Sequence, residues 1–534
     1  MKRGTIHLSR IVIIFRDTGF EHDIYELTRA FYPGTEILSA YEETEEDPAD
    51  ILRLTVWKEG NTFCTGYVCG AEKGIIRTVL SEGQAGDAPE NAPVCCETDA
   101  SVAAGGQAVS SETVEQRIAR HALRKENKDL LKYDLYQLLV RLTGRTLPWG
   151  NLTGIRPAKL AMGMLEEGMN NPEIAAEMRS RYLVSPEKTA LAVTIANREK
   201  EILKNIDYKR GYSLYVGIPF CPSICLYCSF SSYPLEMWKE KVDDYLRALV
   251  HEITEVSAIM RTQGRRLDTV YIGGGTPTTL EPDQLRFLLH ALTEAFPVEE
   301  ALEFTLEAGR PDSITRDKLA AISEYPVTRI SVNPQTMNQV TLDVIGRRHT
   351  VEQTKEAFYL ARECGFDDIN MDLIIGLPGE GKAMVEHTLD EIRKLGPDSL
   401  TVHSLAVKRA ARLNIFRDQY KEMTFENNQE ILSLTMKAAY EMGMGPYYLY
   451  RQKNMKGNFE NVGYAKVDKA GIYNILIMEE KEPIIAVGAG GSSKLVCDGG
   501  HRIERVSNVK DVDAYIGRID EMIERKRKGI AANL

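Results

Sequence analysis

Between Tyr212 and Leu405 the chain repeats one pattern, an apolar run of β character followed by a segment with apolar residues at helical spacing. The runs are "SLYVGIPF", "DTVYIGGG", "LEFTLEA", "VTRISVNP", "DDINMDLIIG" and "SLTVHSL". After the first of them, Val242, Tyr245, Leu246, Leu249, Ile253 and Val256 share one helical face. Strand–helix repeats of this kind specify successive βα units around a parallel sheet. Six units predict an α/β fold built on an incomplete (βα)6 barrel over residues 208–410.

A chain of 534 residues is longer than a single hydrophobic core usually supports, so further modules are expected. Residues 1–81 alternate short β-rich runs with one amphipathic stretch and read as a small α+β module. Residues 82–112 are rich in Gly, Ala, Ser, Pro and acid, which predicts a flexible insert; Cys95 and Cys96 fall there as incidental thiols. A helical module follows over 113–207, broken at "LPWGNLTGIRPAK". The formal net charge of −11 argues against non-specific binding of nucleic acid or anionic membrane. No apolar run reaches the roughly 18 residues of a membrane span, and Arg10 interrupts the first apolar patch, which reads as a strand instead of a signal peptide. Nine cysteines without a regular framework suit a reducing cytoplasm.

In a βα barrel, chemistry collects at the C-terminal ends of the strands. The first run leads into "FCPSICLYC", with Cys221, Cys225 and Cys228 spaced CxxxCxxC. "GGGTP" ends the second run, Glu307 the third, Gln335 the fourth and Asp372 the fifth. A closed zinc site wants four ligands, and Cys364 and His251 are poorly placed to supply one. Three thiolates suit a four-iron cluster, which keeps one iron open for a non-protein ligand. Glycines at a strand end let backbone N–H groups approach a carboxylate or phosphate, although the same segment could be only a tight turn.

These motifs together resemble the radical S-adenosylmethionine (SAM) superfamily. Across the barrel they are most similar to its oxygen-independent coproporphyrinogen III oxidases, and "GIRP" at 154–157 and "YYLYRQKNM" at 447–455 look like the HemZ-type branch. The resemblance implies a [4Fe-4S] cluster on Cys221, Cys225 and Cys228, with SAM chelated to its open iron. It places Tyr227, Gly274, Gly275, Thr276, Glu307, Gln335, Arg347, Asp372 and Ala406 at SAM-contact positions and Tyr215 in a catalytic one. It also implies that residues 411–534 form an α+β domain covering the substrate.

The activity so implied is oxidative decarboxylation of two propionates of coproporphyrinogen III, giving protoporphyrinogen IX in heme biosynthesis. A 5′-deoxyadenosyl radical would abstract a propionate β-hydrogen, and reduced flavodoxin or ferredoxin would supply electrons. Arg348, Arg451, Lys453 and Lys494 are candidate cations for the substrate carboxylates. Gly217 departs from the family pattern, standing where the best-known oxidases carry a histidine, and Ser229-Phe230 replaces a Gly-Cys pair. The alternatives are a heme-binding protein like the HemW relatives, with His403 considered as an axial ligand, or another radical SAM reaction on a tetrapyrrole.

Overall fold

The computed structural model describes residues 9–45, 47, 49–81, 114–154, 156–230, 232–406, 411–415, 420, 423, 427–451, 459–497, 500 and 502–534. The insert at 82–112, with Cys95 and Cys96, lies outside them, as does Lys453. The chain divides into two compact units, residues 1–153 with 180–184, and residues 154–179 with 185–534.

The first unit is a five-stranded sheet, β1 (Arg10–Phe15), β2 (Glu36–Ala40), β3 (Asp50–Glu59), β4 (Thr62–Cys69) and β5 (Glu72–Val79), in the order β2-β1-β3-β4-β5. Two helices accompany it, α1 (Glu21–Phe31) and α2 (Val114–Thr143). Ile11, Ile13 and Phe15 alternate to one face of β1 and pack with Ile24, Leu27 and Phe31 of α1 and Leu135 and Leu139 of α2. That face is dry, and it accounts for the β-rich reading of the N-terminal residues.

The second unit begins with three helices, α3 (Pro157–Glu166), α4 (Asn171–Ser180) and α5 (Pro186–Leu203). The six expected βα units follow. Their strands are β6 (Gly211–Ile218), β7 (Arg266–Gly274), β8 (Glu303–Gly309), β9 (Arg329–Val332), β10 (Ile369–Ile375) and β11 (Ser399–Ser404). Between them run α6 (Val242–Thr262), α7 (Pro282–Ala295), α8 (Arg316–Ser323), α9 (Val351–Glu363) and α10 (Lys382–Leu395). All neighbouring pairs from β6 to β11 are parallel. Side-chain caps set the helix starts, Thr315 for α8 and Thr350 for α9, and Gly396 closes α10 in the left-handed conformation.

The C-terminal residues extend this same sheet at both edges. After α11 (Gln429–Glu441), β12 (Gly445–Tyr450) and β13 (Asn461–Ala465) add antiparallel strands beside β11. After α12 (Ile472–Glu479), β14 (Ile484–Val487) runs parallel to β6, and β15 (Ser492–Cys497) and β16 (Arg502–Ser507) finish that edge. The resulting order is β12-β13-β11-β10-β9-β8-β7-β6-β14-β15-β16. The last helix, α13 (Ile519–Asn533), is tied to α6 by the buried Lys526–Glu252 ion pair at 2.6 Å. Among the described residues no helix is long and apolar enough to cross a membrane.

Strand β14 accounts for Gly217. A Cβ at that position would stand 3.3 Å from the Val487 carbonyl oxygen, and Gly488, at φ +96°, brings its own Cα region against the Gly217 carbonyl. The Tyr245 hydroxyl donates to that carbonyl at 2.6 Å. A histidine would have to push backbone, not a flexible side chain. Gly217→His is therefore expected to cost about 1–3 kcal/mol through overpacking, read as a lower denaturant midpoint; an unchanged midpoint would refute the crowding argument.

Candidate active site

Parallel strands with both faces covered are buried nearly end to end, so the exceptions mark where space opens. β6, β8, β10 and β11 are each buried except at one residue, and those residues are Tyr215, Glu307, Asp372 and His403. On β7 the half-buried Tyr271 pairs in register with Tyr215. Five neighbouring polar side chains thus face one interior space at the C-terminal ends of the strands. The Tyr215 and Tyr271 rings stack at 6.2 Å, and Tyr473 of α12 stacks on Tyr271 at 4.5 Å.

Charge inside this space is unevenly distributed. Burial pushes the Glu307 carboxyl up to about 7; the Tyr271 hydroxyl, donating a hydrogen bond to it, works against that rise, and the neighbouring Asp372 adds to it. Asp372 moves the other way. Burial would raise it, but the nearby His403 and the hydrogen bond from Asn370 outweigh burial and leave it below the ordinary carboxylate range. Asn370 Nδ2 donates to Asp372 Oδ1 at 2.8 Å, and His403 Nε2 lies 3.7 Å from Asp372 Oδ2. The other ring nitrogen, Nδ1, is 3.0 Å from the Tyr450 hydroxyl. His403 is thus engaged on both sides. Tyr215 is pushed well above its usual value, by burial first and then by Glu307, and stays a protonated donor.

The cysteine loop crosses one side of this space. Gly275 N–H donates to the Ile218 carbonyl and Thr276 N–H to the Phe220 carbonyl, each at 2.7 Å, so the "GGGTP" turn clamps the chain entering the loop. A Cβ on Gly275 would stand 2.5 Å from the Phe220 oxygen, and Gly274 has φ +106°. Only glycine fits there. Thr276 Oγ1 lies 3.5 Å from Cys221 Sγ, and Arg310 Nη1 lies 3.6 Å from Cys225 Sγ. Burial pushes the Cys221 thiol up to about 11. Farther along the loop, Leu226 packs with Leu342, Ile345, Ile374, Leu377 and Leu413, and Tyr227 lies against this cluster. Among the described residues no three His, Cys, Asp or Glu side chains converge as they would on one metal ion. Cys225 and Cys228 are near enough to Cys221 to act on its thiol electrostatically, and three thiols on one loop suit an iron–sulfur cluster with one thiolate per iron.

Gln335 carries the clearest mark of constraint. It is a non-glycine residue at φ +67°, held by a bridge to β10 in which its N–H donates to the Asp372 carbonyl at 3.0 Å. Such a conformation costs on the order of 1–3 kcal/mol and clusters at functional sites. Its buried Oε1 has no partner, and neither do Asn333 Oδ1 and Arg347 Nε. Unsatisfied buried donors and acceptors beside a glycine cradle and a carboxylate pair leave hydrogen-bonding capacity for a polar ligand. Arg347 donates to the Asn333 carbonyl, and Ala406 sits beyond the end of β11.

The candidate substrate cations separate. Arg348 is exposed, one residue beyond Arg347. Arg451 follows β12 at the same end as His403 and is buried, its Nη1 3.4 Å from the Gly154 carbonyl. Lys494 is a correction: it pairs in register with Ile484 at the start of β14, the end opposite the cysteines, and binds Glu480 at 3.3 Å. Sequence reasoning missed Tyr271, Tyr473 and Arg310. Tyr271 could have been found, since it precedes Gly273 by two and so shares its strand face.

The Radical SAM superfamily model matches residues 215–392. Over 406 residues the chain is 41% identical to the oxygen-independent coproporphyrinogen-III oxidase-like protein HemZ of Bacillus subtilis, covering 76% of this chain and 81% of that one. It is 38% identical over 197 residues to the heme chaperone HemW of the same organism, covering 37% of this chain and 51% of that one. With the oxygen-independent coproporphyrinogen III oxidase of Synechocystis it shares 31% identity over 228 residues, 42% of this chain and 48% of that one. The family implies SAM and an iron–sulfur cluster, which the donor set above accommodates. The chain belongs to the radical SAM coproporphyrinogen III oxidase-like family, and within it to the HemZ-like proteins.

Proposed function

We propose that this chain catalyses oxygen-independent oxidative decarboxylation of two propionates of coproporphyrinogen III, giving protoporphyrinogen IX. The observation that carries the reading is the contiguous row of partly exposed side chains Tyr215, Tyr271, Glu307, Asp372 and His403 across the parallel strands, with the CxxxCxxC loop following the strand of Tyr215. When bound on Cys221, Cys225 and Cys228, a [4Fe-4S] cluster with SAM supplies a hydrogen-abstracting 5′-deoxyadenosyl radical. Glu307 and the Gly273–Gly275 backbone receive the amino and carboxylate groups of SAM, Arg347 pairs with its carboxylate, and Gln335 and Asp372 accept from its ribose hydroxyls. Tyr227 and Ala406 line the same ligand. Tyr215, kept protonated, points its hydroxyl toward Gly274 and holds water away from the reacting centre. Arg451 and Arg348 stand as anchors for substrate carboxylates. Each propionate loses one β-hydrogen, CO2 and one electron, leaving a vinyl group. Reduced flavodoxin or ferredoxin in the cytoplasm is the proposed electron donor.

A heme-carrying role is the second reading, favoured by Gly217, where β14 crowds the position at which the best-known oxidases carry a histidine. Anaerobic incubation of reconstituted protein with SAM, a reductant and coproporphyrinogen III separates the two. The proposal predicts a divinyl product with the loss of two CO2 per tetrapyrrole. Intact substrate together with stoichiometric heme retention would favour the carrier.

A further inference from the structure

We infer that Arg310 is a positioning residue for the second cluster cysteine and raises the reduction potential of the iron–sulfur cluster; the inference rests on the cluster reading but not on the identity of the substrate. Arg310 follows Gly309 at the end of β8 and is 3% exposed. A guanidinium so desolvated needs a counter-charge, and Asp312 provides one in a two-pronged pair, Nε–Oδ1 at 2.8 Å and Nη2–Oδ2 at 2.7 Å. That fork leaves Nη1 to point elsewhere. Its two donors are aimed at residues of the CxxxCxxC loop, Ser223 Oγ at 3.1 Å and Cys225 Sγ at 3.6 Å. The backbone is pinned as well, with the Arg310 carbonyl accepting from Ser313 N–H at 2.9 Å and from Ser313 Oγ at 2.7 Å.

β8 itself is held by its parallel pairings to β7 and β9. What the Arg310–Asp312 pair fixes is the donor–sulfur vector. An N–H donor on a coordinating thiolate draws charge from the sulfur and stabilises the more negative, reduced cluster, so the potential rises. His349 backs the pair: it is fully buried, its Nδ1 lies 3.8 Å from Asp312 Oδ1, and neither ring nitrogen has a partner of hydrogen-bonding length.

The test is an anaerobic redox titration of reconstituted full-length protein, followed by the EPR signal of the reduced cluster and with iron counted in each sample. Arg310→Met is expected to lower the reduced-to-oxidised ratio at a set potential by roughly tenfold, a shift of about 59 mV to the negative. Arg310→Lys, which keeps charge but loses the fork, should recover part of it. Asp312→Asn removes the counter-charge and should shift the potential the opposite way. An Arg310→Met protein with full iron and the wild-type potential would overturn the inference. If Arg310→Met holds no iron, an unshifted potential in Asp312→Asn overturns it instead. A wild-type protein that binds no cluster would fail the underlying cluster reading, a separate and visible result.

Discussion

Cys225→Ala is expected to leave a folded protein that binds no stable iron–sulfur cluster and cleaves SAM at least about 10³-fold more slowly, more than 4 kcal/mol in the barrier. The size follows from the ligand count. On the proposed reading three thiolates would hold three irons of a four-iron cluster and leave the fourth to SAM, so no ligand would be spare. No other described cysteine can step in. Cys364 caps the C-terminal end of α9, and Cys497 ends β15 opposite Arg502. Both lie at the base of the sheet, while the loop lies at its mouth. Cys64 and Cys69 belong to the first unit. Iron content, the cluster's visible absorbance and 5′-deoxyadenosine formation should fall together, whereas far-ultraviolet dichroism and the thermal midpoint of the iron-free protein should not move. An alanine protein with wild-type iron would contradict the assignment.

Glu307→Gln is expected to weaken SAM binding by roughly 10- to 100-fold, the worth of one hydrogen bond to a charged group, about 1.5–3 kcal/mol. The pH dependence makes the prediction specific. In the free protein the Glu307 carboxyl is held near pH 7 by burial, so it is largely protonated below that value. A cationic ammonium binds the ionised form, and binding below pH 7 must first expel a proton. SAM affinity in the wild type should therefore fall as pH drops through about 7, and the glutamine variant should show no such fall. The sign for folding is the reverse. A carboxyl raised in the folded state favours folding at low pH, and that contribution fades as pH rises from its unfolded value through about 7. Calorimetric titration at several pH values reads the first effect and unfolding midpoints read the second. A pH-independent wild-type affinity would remove Glu307 from the SAM site.

Much of the barrel is legible because parallel strands are continuous apolar runs, and a polar residue at the end of such a run is conspicuous. Glu307, Gln335 and Asp372 stand out in this way. What the runs conceal is how the strands associate when they are distant in sequence. β14 is four residues long and pairs with β6 some 270 positions earlier; no local pattern announces it. The reason for Gly217 was hidden with it, since the crowding comes from Val487 and Gly488. The resemblance implies one covering domain for the C-terminal residues, and periodicity identifies their strands without saying which edge of the sheet they join. Lys494 shows the cost: on an antiparallel strand, direction decides which end of the barrel a side chain reaches. Arg310 reads in sequence as a charge beside Pro311, and only the fold brings it to Cys225.

The most direct measurement uses coproporphyrinogen III deuterated at the propionate β-carbons, incubated anaerobically with reconstituted protein, SAM and a reductant. The account predicts deuterium in the 5′-deoxyadenosine and a divinyl product that has lost two CO2. Deoxyadenosine formed without deuterium, with the propionates intact, would contradict it.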